Sequence, residues 1–163
     1  MSLGWFTQFV PHTKGEMHMR SKLVVVSAVF AVALISGCAS VPMASPEADA
    51  KAKAFQATPG KANLYIYRNE SFGGAIKMTV LLDGQLAGDT GPQTYILKTV
   101  DPGSHALVSK TENDATLTVD AVPGKKYFVW QEVKMGFFSA RSQLHLVDDA
   151  AGQAGVNECK LVQ

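Results

Sequence analysis

From Lys61 onward the chain alternates apolar and polar residues in short runs, broken every eight to twelve positions by Gly, Pro, Asp or Asn. That period of two predicts strands over 62–68, 77–82, 85–88, 95–100, 105–110, 115–120, 126–133 and 140–147. Leu64 and Ile66, Val80 and Leu82, Leu117 and Val119, and Leu144 and Leu146 each recur on one side of their strand and mark the face to be buried. Tyr127-Phe128-Val129-Trp130 is apolar on both sides. It is therefore read as a central strand whose outer side is covered by an N-terminal helix or a loop. No long stripe of helical period intervenes, which argues against a parallel α/β sheet. The expectation is an all-β fold, an antiparallel β-sandwich of about seven to nine strands.

The turns agree with these strands. Asp83-Gly84 between two apolar runs is a two-residue hairpin signal, because a type I′ turn needs positive φ at both positions. Asp101-Pro102-Gly103 and Val122-Pro123-Gly124 combine a preset φ with a residue that accepts the left-handed region. After the last long strand, 148–155 is read as a short helical turn and 156–162 as a returning edge strand. Before the first strand, Ser45 is placed to cap a short helix that starts at Pro46 and runs to Phe55, with acids early and bases late. Thr58-Pro59-Gly60 ends it. The preceding segment 39–46, with small residues and two prolines, is expected to be a flexible tether reaching up to roughly 25 Å at about 3.1 Å per residue.

A different pattern precedes the tether. Arg20 and Lys22 are followed by an apolar run over 23–35, interrupted only by Ser27. As a helix it would reach roughly 20 Å against a hydrocarbon core of roughly 30 Å, so it reads as the apolar region of a secretory signal peptide. The run ends in Ile35-Ser36-Gly37-Cys38, which resembles the lipobox of bacterial lipoproteins. That resemblance implies cleavage before Cys38, a diacylglyceryl thioether on its sulfur and an acyl group on its new amine. Two or three acyl chains hold a protein on a membrane almost permanently. Ala39 rather than Asp after the cysteine implies the outer membrane if the source is Gram-negative. Residues 1–16 follow no targeting pattern, and Met17 or Met19 would each give a compact basic start. The chain thus divides into a signal peptide, 1–37, a lipidated tether and short helix, 38–60, and a β-sandwich domain, 61–163.

Composition adds exclusions. The chain of 163 residues has 15 basic and 14 acidic side chains; without Lys14, Glu16, Arg20 and Lys22, 12 basic remain against 13 acidic. That balance does not fit nucleic-acid binding by phosphate neutralisation. Two cysteines are too few for a disulfide scaffold.

Leu82-Asp83-Gly84-Gln85-Leu86-Ala87-Gly88 with Val100-Asp101-Pro102-Gly103-Ser104-His105 resembles the hairpins of PEGA-type surface domains. The succession of lipobox, short Ala/Lys helix, the Gly60–Arg68 strand, that hairpin and Gly124-Lys125-Lys126-Tyr127-Phe128 is similar to a bacterial lipoprotein family, domain of unknown function 2846. The likeness spans about 38–147. It implies an immunoglobulin-like or PEGA-like sandwich and a place in the cell envelope, and it supplies no chemistry. A single copy, with Thr90-Gly91-Pro92 departing from the PEGA pattern, does not support adhesion by repeats.

Candidate chemistry is sparse. His105 and His145, on separate strands, read as surface or half-buried histidines, and no His-x-His or Cys-x-x-Cys spacing offers a metal site. Ser109, His105 and Asp114 assemble a triad only on paper, with no nucleophile elbow around the serine. Glu132, Asp148 and Asp149 read as strand-end carboxylates, and Gly73-Gly74 lacks the spacing of a phosphate loop. No cofactor is expected. Cys159 is a buried small residue, an intermolecular bridge or a redox site. The remaining candidates are loop aromatics, Phe72 in 69–74 and Phe137 and Phe138 in 134–139. The plainer reading makes them end plugs of the core; the other makes them a contact patch. Arg141 is expected to pair with Glu132 or to meet an anionic partner. These features suggest a non-enzymatic, membrane-anchored envelope lipoprotein that binds another envelope protein or has a structural role. Alternatives are a small-ligand or glycan-binding module using Phe72, Trp130 and Phe137, and an envelope hydrolase.

Overall fold

The computed structural model describes residues 40–72, 74 and 76–163. The candidate starts, the apolar run, the lipobox and Cys38 lie outside the described residues. Among the described residues, two short helices, α1 (Pro46–Ala52) and α2 (Asp149–Asn157), accompany nine strands: β1 (Ala62–Arg68), β2 (Met78–Leu82), β3 (Gln85–Thr90), β4 (Thr94–Val100), β5 (Gly103–Lys110), β6 (Asp114–Ala121), β7 (Lys126–Met135), β8 (Ala140–Val147) and β9 (Lys160–Leu161). They form a sheet of order β8-β7-β1-β4-β9 and a second of order β3-β2-β5-β6. The expected all-β sandwich is the observed fold, and the first and eighth strands keep their expected limits.

All seven residues of β1 are buried. Its inner side chains Leu64 and Ile66 meet Val80, Leu107, Val119 and Val129 between the sheets, while Tyr65 and Tyr67 face outward into a second cluster with Tyr95, Phe128 and Val156. That cluster is roofed by α1, Phe55 and α2. Tyr65 lies 5.0 Å from Phe128 and 5.4 Å from Phe55, and its hydroxyl donates to the carbonyl of Ala52 at 3.0 Å. The cover over β7 therefore comes from the C-terminal helix as well as from the N-terminal segment. Gly152 and Gly155 seat α2, since a Cβ at either would stand under 3.0 Å from the Phe128 or Tyr67 side chain.

Ser45 caps α1 as expected, accepting from the Ala48 amide at 3.2 Å. The helix stops at Ala52 rather than Phe55 because Phe55 adopts φ 51°, which turns its ring under the sheet. A positive φ at a non-glycine residue costs of order 1 kcal/mol, and burying an aromatic ring offsets it. Asp83 and Gly84 both have positive φ, 51° and 78°, as the predicted hairpin requires.

Four expectations change. The sheet is not wholly antiparallel: β1 pairs with β7, and β4 with β9, in parallel. The cause lies at the start of β7, where the Gly124 amide donates to the Lys61 carbonyl and the Asn63 amide to that of Lys125, delivering β7 beside β1 in the same direction. The tether is not free either. From Val41 it docks along β9, with Ala44 donating to Leu161, Gln163 to Pro42, and Val41 inside the main core at 7% exposure. Proline is tolerated because the Pro42 position contributes only its carbonyl to the edge. Finally, Leu146 is half-exposed, near the end of β8, which is an edge strand among the described residues. The returning strand after α2 is confined to Lys160–Leu161, because the helix extends to Asn157 and buries Val156.

Candidate functional site

The end of the sandwich where β1 stops is built around a buried cation. Arg68 is fully buried, and its guanidinium donates to the carbonyls of Ile76 at 2.8 Å and Phe72 at 2.9 Å. It thereby grips both arms of the loop after β1. Burial draws its pKa down from the usual arginine value, yet arginine starts so high that the group stays charged.

The β7–β8 hairpin stands beside this loop. The amides of Phe137, Phe138 and Ser139 all donate to the Glu112 carboxylate, at 3.1, 2.9 and 2.9 Å. Glu112 belongs to the β5–β6 turn, so the second sheet holds the hairpin tip of the first. The same three donors, the Ser139 amide foremost, keep its carboxyl below the usual value. Held this way, Phe137 and Phe138 pack edge to face at 4.7 Å while remaining 84% and 90% exposed. Met135 and Phe72 are exposed beside them, and with Ile76 and Lys134 they surround a shallow depression of about 260 Å³. The end-plug expectation for these rings is therefore corrected: Met78, Val133, Ala140 and Ile76 close that end of the core. Each exposed phenyl forgoes about 1.5–3 kcal/mol of available burial.

Trp130 does not join them. Strand alternation sends it to the outer face, where it stacks on His145 at 5.2 Å and donates from Nε1 to Glu70 at 3.0 Å. Phe72 and Phe137 line the depression together, and Trp130 is not part of its lining. Arg141 is also placed differently from expectation. The register sets it opposite Lys134, while Glu132 accepts from Lys134 at 2.6 Å and meets His145 at 2.8 Å. Arg141 instead lends its charge to Glu112.

The paper triad is dispersed. Ser109 is fully buried and bonded to Gln131 and Ser142, His105 is bound to Asp83 and the Asp101 carbonyl, and Asp114 pairs with Lys110. Asp148 caps α2 by accepting from Ala151. Among the described residues, no three His, Cys, Asp or Glu side chains gather where a metal could be held. Cys159 is 1% exposed and burial pushes its thiol up to about 12, the environment of a buried small residue.

One polar feature escaped sequence reasoning. Thr90 donates to Gln131 at 2.5 Å, Gln131 to Ser109 at 2.6 Å, and Ser142 to Ser109 at 2.8 Å, a buried chain that ties both sheets together beneath the aromatic end. The signal was present: Gln131 occupies an inward position between Val129 and Val133, where an apolar residue is the rule.

Compared with known families, residues 58–143 match the family described as "Protein of unknown function (DUF2846)". A protein of Haemophilus influenzae (strain ATCC 51907 / DSM 11121 / KW20 / Rd), described as "Uncharacterized protein", is 30% identical over 164 residues, covering 99% of this chain and 98% of that one. No solved structure matches. The chain belongs to the DUF2846 family.

Proposed function

We propose that this DUF2846 protein is an envelope lipoprotein, anchored through lipid on Cys38, whose sandwich serves as a non-catalytic interaction module with Phe72, Phe137 and Phe138 as its contact surface. The observation behind the contact surface is the Phe137–Phe138 pair, held outward by three hydrogen bonds to Glu112 although ring burial would favour the opposite. The anchor rests on Arg20, Lys22, the apolar run and Ile35-Ser36-Gly37-Cys38 in that order. The outer membrane is the expected address in a Gram-negative cell.

Two measurements on the full chain in its native host test both halves. Cys38→Ala should leave an unprocessed precursor without labelled palmitate; a variant that still incorporates label refutes the anchor. A photo-crosslinking amino acid at position 138 should form a discrete adduct with an envelope component. The same probe at exposed Leu86, on β3, should not. Equal yields at both positions would refute the contact surface.

A further inference from the structure

We propose that the aromatic end of the sandwich faces the bilayer and inserts Phe137 and Phe138 into the headgroup layer of the leaflet that carries the Cys38 lipid. The proposal rests on the lipoprotein reading above and names the partner of that surface as the membrane itself.

The first argument is the length of the leash. The described chain begins at Ser40, and Val41 is already packed in the core. Only Ala39 and Ser40 lie between Cys38 and Val41, so their Cα atoms, three steps along the chain, stand at most about 11 Å apart. A body on so short a connection has to lie against the membrane, and the remaining question is which side of it does so.

The second argument is where the leash leaves. Ser40 and Val41 line a shallow groove with Gly91, Pro92, Thr94 and Glu158. Thr94 is the register partner of Arg68, at the end of β1. Pro92 Cγ is 3.6 Å from the point where a Cβ on Gly74 would stand. Gly74 lies between Phe72 and Ile76, the two residues of that loop that line the aromatic depression. Because β7 runs parallel to β1, with Tyr67 opposite Trp130, the hairpin tip beyond Met135 projects from the same end. The exit of the chain and the exposed rings therefore share one end of the molecule. Val122 lies at the other, just before β7 begins.

The third argument is chemical. Exposed phenyl rings beside Lys134 and Arg141, which face each other at the base of the hairpin, suit an interface with apolar acyl chains below and phosphate headgroups around. Of the acids nearby, Glu132 is bonded to Lys134 and His145, and Glu112 is bonded to three amides with the charge of Arg141 beside it, so neither presents an uncompensated negative charge to the headgroups.

The test uses the mature lipidated chain in phosphatidylethanolamine vesicles containing phosphatidylglycerol, with bromine atoms on the upper part of the acyl chains. Phe138→Trp and, as a control, Val122→Trp are compared with the parent, whose Trp130 supplies the baseline. Fluorescence added at position 138 should shift to the blue and fall about twofold on bromination, while that added at 122 should do neither. Unquenched fluorescence at 138 on a chain whose mass includes lipid overturns the docking and leaves the anchor standing. A chain without lipid mass overturns the anchor and the docking with it. Quenching at 122, or a concentration-dependent blue shift of residue 138 without vesicles, overturns the proposal by pointing to the opposite face or to a second copy of this chain.

Discussion

Replacing Gly155 or Gly152 by alanine sets two opposed effects of known size against each other. In a helix interior alanine is favoured over glycine by about 1 kcal/mol, so a solvent-facing site would gain that amount. Neither glycine faces solvent. A methyl at 155 would meet Cε2, Cζ and the hydroxyl of Tyr67, and one at 152 would meet Cβ, Cγ and Cδ1 of Phe128, all under 3.0 Å. Phe128 cannot swing aside, because it is fully buried with its ring 5.0 Å from Tyr65 and 5.7 Å from Phe55. The whole helix must lift, and overpacking of this kind costs about 1–3 kcal/mol before any loss of contacts around Val156 and Cys159. The clash should win, leaving each variant about 1–2 kcal/mol less stable and its melting temperature roughly 4–8 °C lower. The internal standard is Ala154→Gly, an exposed position of the same helix, which should lose only the propensity difference of about 1 kcal/mol. Urea unfolding followed by far-ultraviolet circular dichroism measures all three. A gain in stability for either glycine variant would refute the close seating of α2 on the sheet.

His105 offers a pH-dependent counterpart. Its Nδ1 lies 2.7 Å from Asp83 Oδ2 and its Nε2 2.8 Å from the Asp101 carbonyl, so only the doubly protonated ring satisfies both acceptors as a donor; the bond to Asp83, above all, raises its pKa from 6.5. A raised folded-state value means that this stabilisation is complete below the unfolded pKa and lost as pH rises through the folded one. The melting-temperature deficit of His105→Gln should therefore be larger at about pH 5.5 than at about pH 8.5, and a deficit that grows with pH would refute the assignment. Cys159, with its thiol raised to about 12 and 1% exposed, should resist maleimide in the folded protein and react fully in urea. Equal labelling rates by mass spectrometry would show that the cover of α1, α2 and β9 is open.

Much of the fold was legible in the sequence because strand alternation reports which side of a strand is dry. Ala62–Arg68 and Ala140–Val147 were readable to the residue, as were the Ser45 cap and the Asp83-Gly84 turn. Alternation says nothing about which strand lies alongside, so the parallel pairing of β1 with β7 was invisible until the contact of Gly124 with Lys61 was known. The docking of Val41 was hidden for a related reason: a lone valine among prolines carries no period, and only β9 supplies its partner. At the candidate site, loop position identified Phe72, Phe137 and Phe138 as unusual. Their outward display depends on Glu112, 25 residues earlier than Phe137, a long-range contact with no local signature. Trp130 was misgrouped with those rings because proximity in sequence was not weighed against its outward parity on β7.

The antiparallel bridge between Met43 and Val162 joins the segment before α1 to the segment after α2. A folding chain therefore holds β4 with one flank empty, and Val41 without its cover, until residues 160–162 reach the sheet. Such late closure, with β1 also waiting for a strand some sixty residues downstream, makes for slow, concerted folding. A sheet whose central and edge strands both wait for such distant partners closes as one event rather than hairpin by hairpin.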